Sequence, residues 1–145
     1  MRLVVQRVSN AQVTVKEKVI GKIGEGFLVL LGVTHSDTKE TVEYLAKKLC
    51  NLRVFQDENE KMNLSIKDID GELLIVSQFT LYADCSRGNR PGFEESAKPE
   101  MANELYEYFV KQCKSYVNNV ETGEFGAHME VQLLNNGPVT IILEK

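Results

Sequence analysis

Apolar residues in this chain come in short β-branched runs near both ends and once in the middle, and helical spacing occurs in only two stretches between them. The opening Leu3-Val4-Val5-Gln6-Arg7-Val8 reads as a strand, and Val13-Thr14-Val15 alternates before the polar Lys16-Glu17-Lys18. Val19-Ile20-Gly21-Lys22-Ile23 is its expected hairpin partner, closed by Gly24-Glu25-Gly26. Phe27 to Val33 is a continuous apolar run with one glycine, as expected of a buried central strand. Ser36 or Asp37 then offers a cap for a first helix, whose apolar stripe is Val42, Leu45, Leu49 and Leu52. A short strand is expected at Arg53-Val54-Phe55, and Gly71 opens another at Leu73-Leu74-Ile75-Val76. Cys85 to Pro99 reads as a long loop, and Pro99 suits the first turn of a second helix. Met101, Leu105, Tyr108, Phe109, Tyr116 and Val117 fit its buried side. Strands return at Glu130 to Leu133 and at Val139 to Leu143, joined by Asn135-Asn136-Gly137-Pro138. The expectation is an α/β fold. It is a β-rich single domain over residues 1–145, with barrel-like or sandwiched sheets and two main helices.

Composition narrows the function classes. Phe27 to Leu31 is the longest apolar stretch, far below the about 20 residues that a membrane helix requires. The first seven residues are too short an apolar run for a signal peptide, so a cytoplasmic location and no membrane partner are expected. Cys50, Cys85 and Cys113 are odd in number and far apart, and His35 and His128 are distant in sequence. No metal site, disulfide framework or cofactor is therefore expected. With 17 basic against 21 acidic residues the chain does not carry a broad nucleic-acid-coating surface, although a local patch remains compatible with gripping one RNA end.

Two segments carry more polar chemistry than their positions need. Leu73 to Val76 is apolar enough to be central, yet it runs into Ser77-Gln78-Phe79-Thr80-Leu81-Tyr82-Ala83-Asp84. Hydroxyl and amide groups at such a strand end either face solvent or converge on a ligand. Asn135-Asn136-Gly137-Pro138-Val139-Thr140 is the second segment, and a simple hairpin turn is its plain reading. Gly-Pro is also where a cis peptide costs little, which aims backbone carbonyls in directions a trans turn cannot. Between them, Arg87 and Arg90 sit in a Gly/Pro loop, either solvated or available to phosphate. No Gly-x-Ser-x-Gly elbow supports a serine triad, and no phosphate-cradling Gly-x-x-x-x-Gly-Lys loop occurs.

These residues resemble a known family. Ser77 to Asp84 resembles the first signature of the D-aminoacyl-tRNA deacylases, and Asn135 to Thr140 resembles the second. The similarity extends to Met1 through Val8, to Gly88-Asn89-Arg90-Pro91 and to Thr122 through Met129. One departure stands. The family's usual Asp before the Gly-Pro is Asn136 here, and Asn can hold the same turn through its side-chain carbonyl.

The resemblance implies a carboxylic ester hydrolase that cleaves D-aminoacyl-tRNA, and glycyl-tRNA as well, to the free amino acid and tRNA. It implies a homodimer in which the Gly137-Pro138 turn of one subunit enters the other's site. There the carbonyls of a cis Gly-Pro contact the substrate's α-amino group, and an L side chain is rejected by rigid backbone. Arg7 would brace that turn. Ser77, Gln78, Phe79 and Thr80 form the implied catalytic set, and Gly137, Pro138, Met129, Phe125 and Ala102 the implied substrate-binding set. Two mechanisms stay open. Thr80 attacks the ester, which requires a nearby base. Alternatively the site positions a water, with help from the ribose 2′-OH, while the Phe79 N–H stabilises the oxyanion. Gln78 would then hold the ribose or the amino acid, and Phe125 or Met129 would line an adenine pocket. The tRNA 3′ end is the implied partner, and DNA is not expected. The alternative class is a non-catalytic nucleic-acid-binding module on the same fold, against which the acidic balance and the lack of a basic tail weigh. A third reading is an achiral deacylase with a trans Gly-Pro.

Overall fold

Two long strands, β1 (Arg2–Val15) and β8 (Glu130–Glu144), run antiparallel from Arg2 opposite Glu144 to Thr14 opposite Glu130. The computed structural model describes residues 1–145. On its other edge β1 serves two partners in turn. Its first half pairs β3 (Gly26–Gly32), and its second half pairs β2 (Lys18–Ile23). The ladder with β8 slips between Gln6 and Asn10, and this irregularity lets one strand bend from one partner to the next.

The sheet continues through two parallel pairings, β3 with β6 (Glu72–Ser77) and β6 with β7 (Asn119–Thr122). Each parallel connection contains a helix, α1 (Lys39–Cys50) in the first and α2 (Pro99–Lys114) in the second, as parallel strands require. The sheet's two ends nearly meet. Gly21 of β2 lies so close to β7 that a Cβ there would come within 2.6 Å of the Thr122 carbonyl oxygen, so only glycine fits. The result is a barrel-like sheet with two helices on one side. A small separate hairpin, β4 (Phe55–Gln56) with β5 (Met62–Leu64), lies outside it.

Alternation along the strands divides the core in two. Phe27, Val29 and Leu31 of β3 with Leu73 and Ile75 of β6 meet Val42, Leu45 and Leu49 of α1 and Leu105 and Phe109 of α2. The residues between them, Leu28, Leu74 and Val76, face the barrel interior with Val8, Ala11, Val13, Val15 and Ile23. Buried on both faces, β3 and β6 are therefore the continuous apolar runs that the sequence shows.

Local corrections follow from packing. Helix α1 is capped by Thr38 in a reciprocal box with Thr41. Neither Ser36 nor Asp37 caps it: the Asp37 carboxylate instead holds the Met1 ammonium and accepts from the Thr34 N–H at 2.8 Å. The short strand is Phe55–Gln56, beginning two residues later than Arg53 and ending one later than Phe55, because Phe55 pairs Leu64 and Gln56 pairs Met62. On α2 the fully buried tyrosine is Tyr106, while Tyr108 packs half-buried against the core with its hydroxyl on Glu43. Asn135 to Pro138 is no hairpin turn, since β8 runs through it as one strand against β1. No helix is long and apolar enough to cross a membrane.

Candidate active site

Strand β6 is flanked on both sides, by β3 and β7, so its apolar residues are buried until the strand ends. At Ser77 the chain leaves the sheet and enters a 3-10 turn over Phe79–Tyr82. The Gln78 N–H donates to the Leu31 carbonyl at 2.8 Å, which ties the turn to the end of β3. Gly32 makes this close approach possible, because a Cβ there would stand 3.0 Å from the Leu81 Cβ. Ser77, Gln78 and Phe79 thus emerge at the carboxyl end of parallel strands, where such sheets hold ligands.

A cleft of about 630 Å³ opens at this point, within the usual size for a small-molecule or nucleotide site. Its walls come from several parts of the chain, Val33 and Val131 included, and four of them carry the chemistry. These four are the β6 end with Ser77, Gln78 and Phe79, the loop with Phe93, Ser96 and Lys98, the start of α2 with Ala102, and the segment Phe125 to Met129. Two contacts hold the loop in place: Ser96 Oγ donates to the Phe79 carbonyl at 3.0 Å, and the Ala97 N–H donates to the Val33 carbonyl at 2.9 Å. Phe79 is 55% exposed and meets Phe93 edge-on with ring centroids 5.0 Å apart. An aromatic pair left open at a cleft mouth is better explained by a ligand than by folding.

Charge is distributed unevenly. Although the chain carries −4 overall, no aspartate or glutamate lines the cleft, and Lys98 supplies its one fixed positive charge. Thr80 is exposed and joins the site through Gln78, whose amide nitrogen donates to the Thr80 hydroxyl. An amide is not a base, so this contact orients the hydroxyl without activating it. Behind the wall, the Tyr106 hydroxyl donates to the Ile75 carbonyl at 2.7 Å, and its ring stands 6.1 Å from that of Phe125. Burial pushes the Tyr106 phenol up to about 12. Burial likewise raises Tyr82, at the end of the 3-10 turn, to about 12.

The second signature lies elsewhere. Within β8, Gly137 takes φ +139° and the Gly137-Pro138 peptide is cis. The Asn135 side chain spans the irregularity, accepting from the Val139 N–H at 2.8 Å and donating to the Val139 carbonyl at 3.2 Å. Asn136 does not hold this segment through its side-chain carbonyl, as the sequence led one to expect. It offers its backbone carbonyl, which accepts from Arg7 Nε at 2.9 Å. Arg7 is buried and donates also to the Val54 carbonyl at 2.6 Å.

Ser77, Gln78, Phe79, Ala102, Phe125 and Met129 therefore share one cleft, with Thr80 beside it. Gly137, Pro138 and Arg7 form a second group that does not line the cleft of their own chain. Sequence reasoning passed over Phe93, Ser96, Lys98 and His128. The first three belong to a loop without periodicity, and His128 lay inside a quoted segment but has no partner in sequence that marks it. Arg87 and Arg90 are exposed on a loop pinned at its base by Asp84 and Gly92, outside the cleft wall.

The family model described as D-Tyr-tRNA(Tyr) deacylase matches residues 4–144. A protein of Thermosipho africanus named D-aminoacyl-tRNA deacylase is 62% identical over 144 residues, covering 99% of this chain and 97% of its own. One of Clostridioides difficile with the same name is 61% identical, again covering 99% of this chain and 97% of its own. Among solved structures, the c-Myc DNA unwinding element binding protein superposes with a TM-score of 0.94 at 44% identity, covering 100% of this chain and 99% of that one. A probable eukaryotic D-amino acid tRNA deacylase gives 0.84 at 17% identity, covering 98% of this chain and 97% of its own, which speaks for the fold alone. With nearly its whole length matched by the family model and by relatives of this identity, the chain belongs to the D-Tyr-tRNA(Tyr) deacylase family.

Proposed function

We infer that this chain is a D-aminoacyl-tRNA deacylase, a hydrolase of the ester that joins a D-amino acid to the 3′ end of tRNA. The observation that carries the reading is the cleft at the end of β6, which combines the polar Ser77-Gln78-Phe79 edge with aromatic walls and contains no carboxylate. Phosphates and the oxyanion that develops on ester hydrolysis both favour such a lining, because no carboxylate in it repels negative charge.

In this reading the terminal adenosine lies against Phe125 and Met129, and the ester carbonyl lies at the 3-10 turn. Water attacks the ester carbon, and the oxyanion is held by the Phe79 N–H. The first N–H groups of such a turn have no partner within it, so this donor is free for a developing charge. The bond to the ribose oxygen then breaks, that oxygen takes a proton, and the amino acid leaves as its carboxylate. The water mechanism is favoured over attack by Thr80, since the hydroxyl's one protein partner is the Gln78 amide. A ribose 2′-OH within the substrate supplies the proton relay, since no carboxylate lines the cleft.

Chirality is read by the Gly137-Pro138 segment of a second subunit. Its backbone carbonyls take the α-amino group and leave no space for an L side chain, while a D side chain or the hydrogen of glycine fits. Two observations support a dimer. Strand β8 has 15 residues and only one hydrogen-bonded neighbour, β1, and a free edge of that length invites a partner. Its outer row also exposes Leu134 at 57% and Ile142 at 65%. The chain would act in the cytoplasm, where aminoacyl-tRNA is used.

Nucleic-acid binding without catalysis is the second reading, favoured by the likeness to the c-Myc DNA unwinding element binding protein. Incubation of purified protein with D-Tyr-tRNA separates the two. Multiple-turnover release of D-tyrosine supports the deacylase, and tight binding without release supports the module.

A further inference from the structure

A second depression of about 420 Å³ lies between α2 and β7 and shares Phe125 with the cleft. Its helix wall is Asn103, Glu107, Lys111 and Lys114. These residues follow one another at steps of four, four and three, so they form a single stripe along α2. From Asn103 to Lys114 the stripe spans about 16 Å, leading away from Phe125. Lys111 and Lys114 are both exposed and enter no ion pair, the fold's salt bridges being Met1–Asp37 and Arg2–Glu144. The one carboxylate in the groove, Glu107, accepts from Asn103 Nδ2 at 3.5 Å. The groove thus has an aromatic ring at its junction with the cleft and uncommitted positive charge on α2.

We propose that this groove carries the single-stranded 3′ end of tRNA beyond its terminal adenosine, with Lys111 and Lys114 on its phosphates and Phe125 as the divide between the last base and the strand that precedes it. The inference rests on the assignment of the cleft to the aminoacyl-adenosine. An aromatic platform followed by cations at helical spacing is what a single strand requires, since bases stack on any π-face and phosphates need only positive charge. It also accounts for how a protein of net charge −4 holds RNA: the grip is a local stripe on α2.

The test compares two substrates, D-Tyr-tRNA and the minimal ester 3′-O-D-tyrosyl-adenosine, on the double variant Lys111→Glu/Lys114→Glu. A control variant, Lys47→Glu/Lys48→Glu, makes the same change of net charge on exposed positions of α1. For the groove variant, kcat/KM on D-Tyr-tRNA should fall about tenfold or more while the adenosine ester is cleaved as by the wild type. The slope of log kcat/KM against log salt should flatten by about 1.4, two phosphate contacts at 0.7 each, and the control should change neither quantity. An unchanged rate on D-Tyr-tRNA, an equal loss on both substrates, or an equal loss in the control would overturn the proposal. Failure of the wild type to cleave either ester would instead count against the deacylase reading itself.

Discussion

Arg7 Nε donates to the Asn136 carbonyl at 2.9 Å, so a buried guanidinium at the point where the β1–β8 register slips, between Gln6 and Val8, fixes the backbone immediately before Gly137-Pro138. Its Nη1 is held by the Val54 carbonyl at 2.6 Å. Lysine cannot reproduce that fork, because an ammonium lacks the planar set of donors. Arg7→Lys is expected to stay folded and to lose about 10²-fold in kcat/KM on D-Tyr-tRNA, the scale set by misplacing a positioning group by an ångström. Activity within a few-fold of the wild type would show that Arg7 is not what positions the segment.

If β8 is the contact between subunits, a charge on its exposed apolar row should prevent association. Ile142→Asp introduces a carboxylate at a position that is 65% exposed in the single chain, so the fold itself should tolerate it. Sedimentation velocity is expected to show a wild-type dimer and a variant monomer, with deacylation lost in the monomer. A fully active monomer would refute the sharing of Gly137-Pro138 between subunits.

Thr80 and Gln78 separate the two mechanisms. Thr80→Ala is expected to keep kcat on D-Tyr-tRNA within about tenfold, as for loss of a group that only orients a neighbour, whereas removal of a covalent nucleophile costs about 10⁴-fold or more. Single-turnover kinetics with trapping for an acyl-enzyme checks this directly. A loss on the larger scale, together with a trapped ester on the wild type, would restore Thr80 as nucleophile.

Tyr106 links stability to pH. Its phenol is raised from 10.0 to about 12, chiefly by burial. The folded state therefore favours the neutral form, and its contribution is complete below pH 10 and is lost as pH rises toward 12. Tyr106→Phe removes the bond to the Ile75 carbonyl and should cost about 1 kcal/mol at neutral pH. Urea titrations at several pH values should show a shallower alkaline loss for the variant than for the wild type. Parallel curves would mean that Tyr106 does not contribute to it.

Legibility differed between elements for physical reasons. Strands β3 and β6 were plain because burial on both faces leaves an unbroken apolar run, and α2 began where Pro99 announced it. Asn135 to Pro138 misled because turn chemistry and an irregular strand use the same residues. What decides between them is pairing with β1, more than 120 positions upstream, which no local pattern encodes. Tyr106 was missed beside Tyr108 because both fall near the apolar stripe, and the position of α1 and β6 determines that Tyr106 is fully covered while Tyr108 is only half-buried against the core. The cleft's first wall was readable in Ser77-Gln78-Phe79, since polar groups that end a buried strand are out of place. Its second wall, Phe93 to Lys98, was not, because a loop held by the Ser96 and Ala97 hydrogen bonds leaves no periodic trace.

Deacylation of D-Tyr-tRNA and L-Tyr-tRNA by the same purified protein, at equal substrate concentrations and against a protein-free control, tests the central claim most directly. Rapid release of D-tyrosine with L-Tyr-tRNA decaying only at the control rate is the expected result. Equal hydrolysis of both esters would contradict the chiral filter, and hydrolysis of neither would contradict the enzyme.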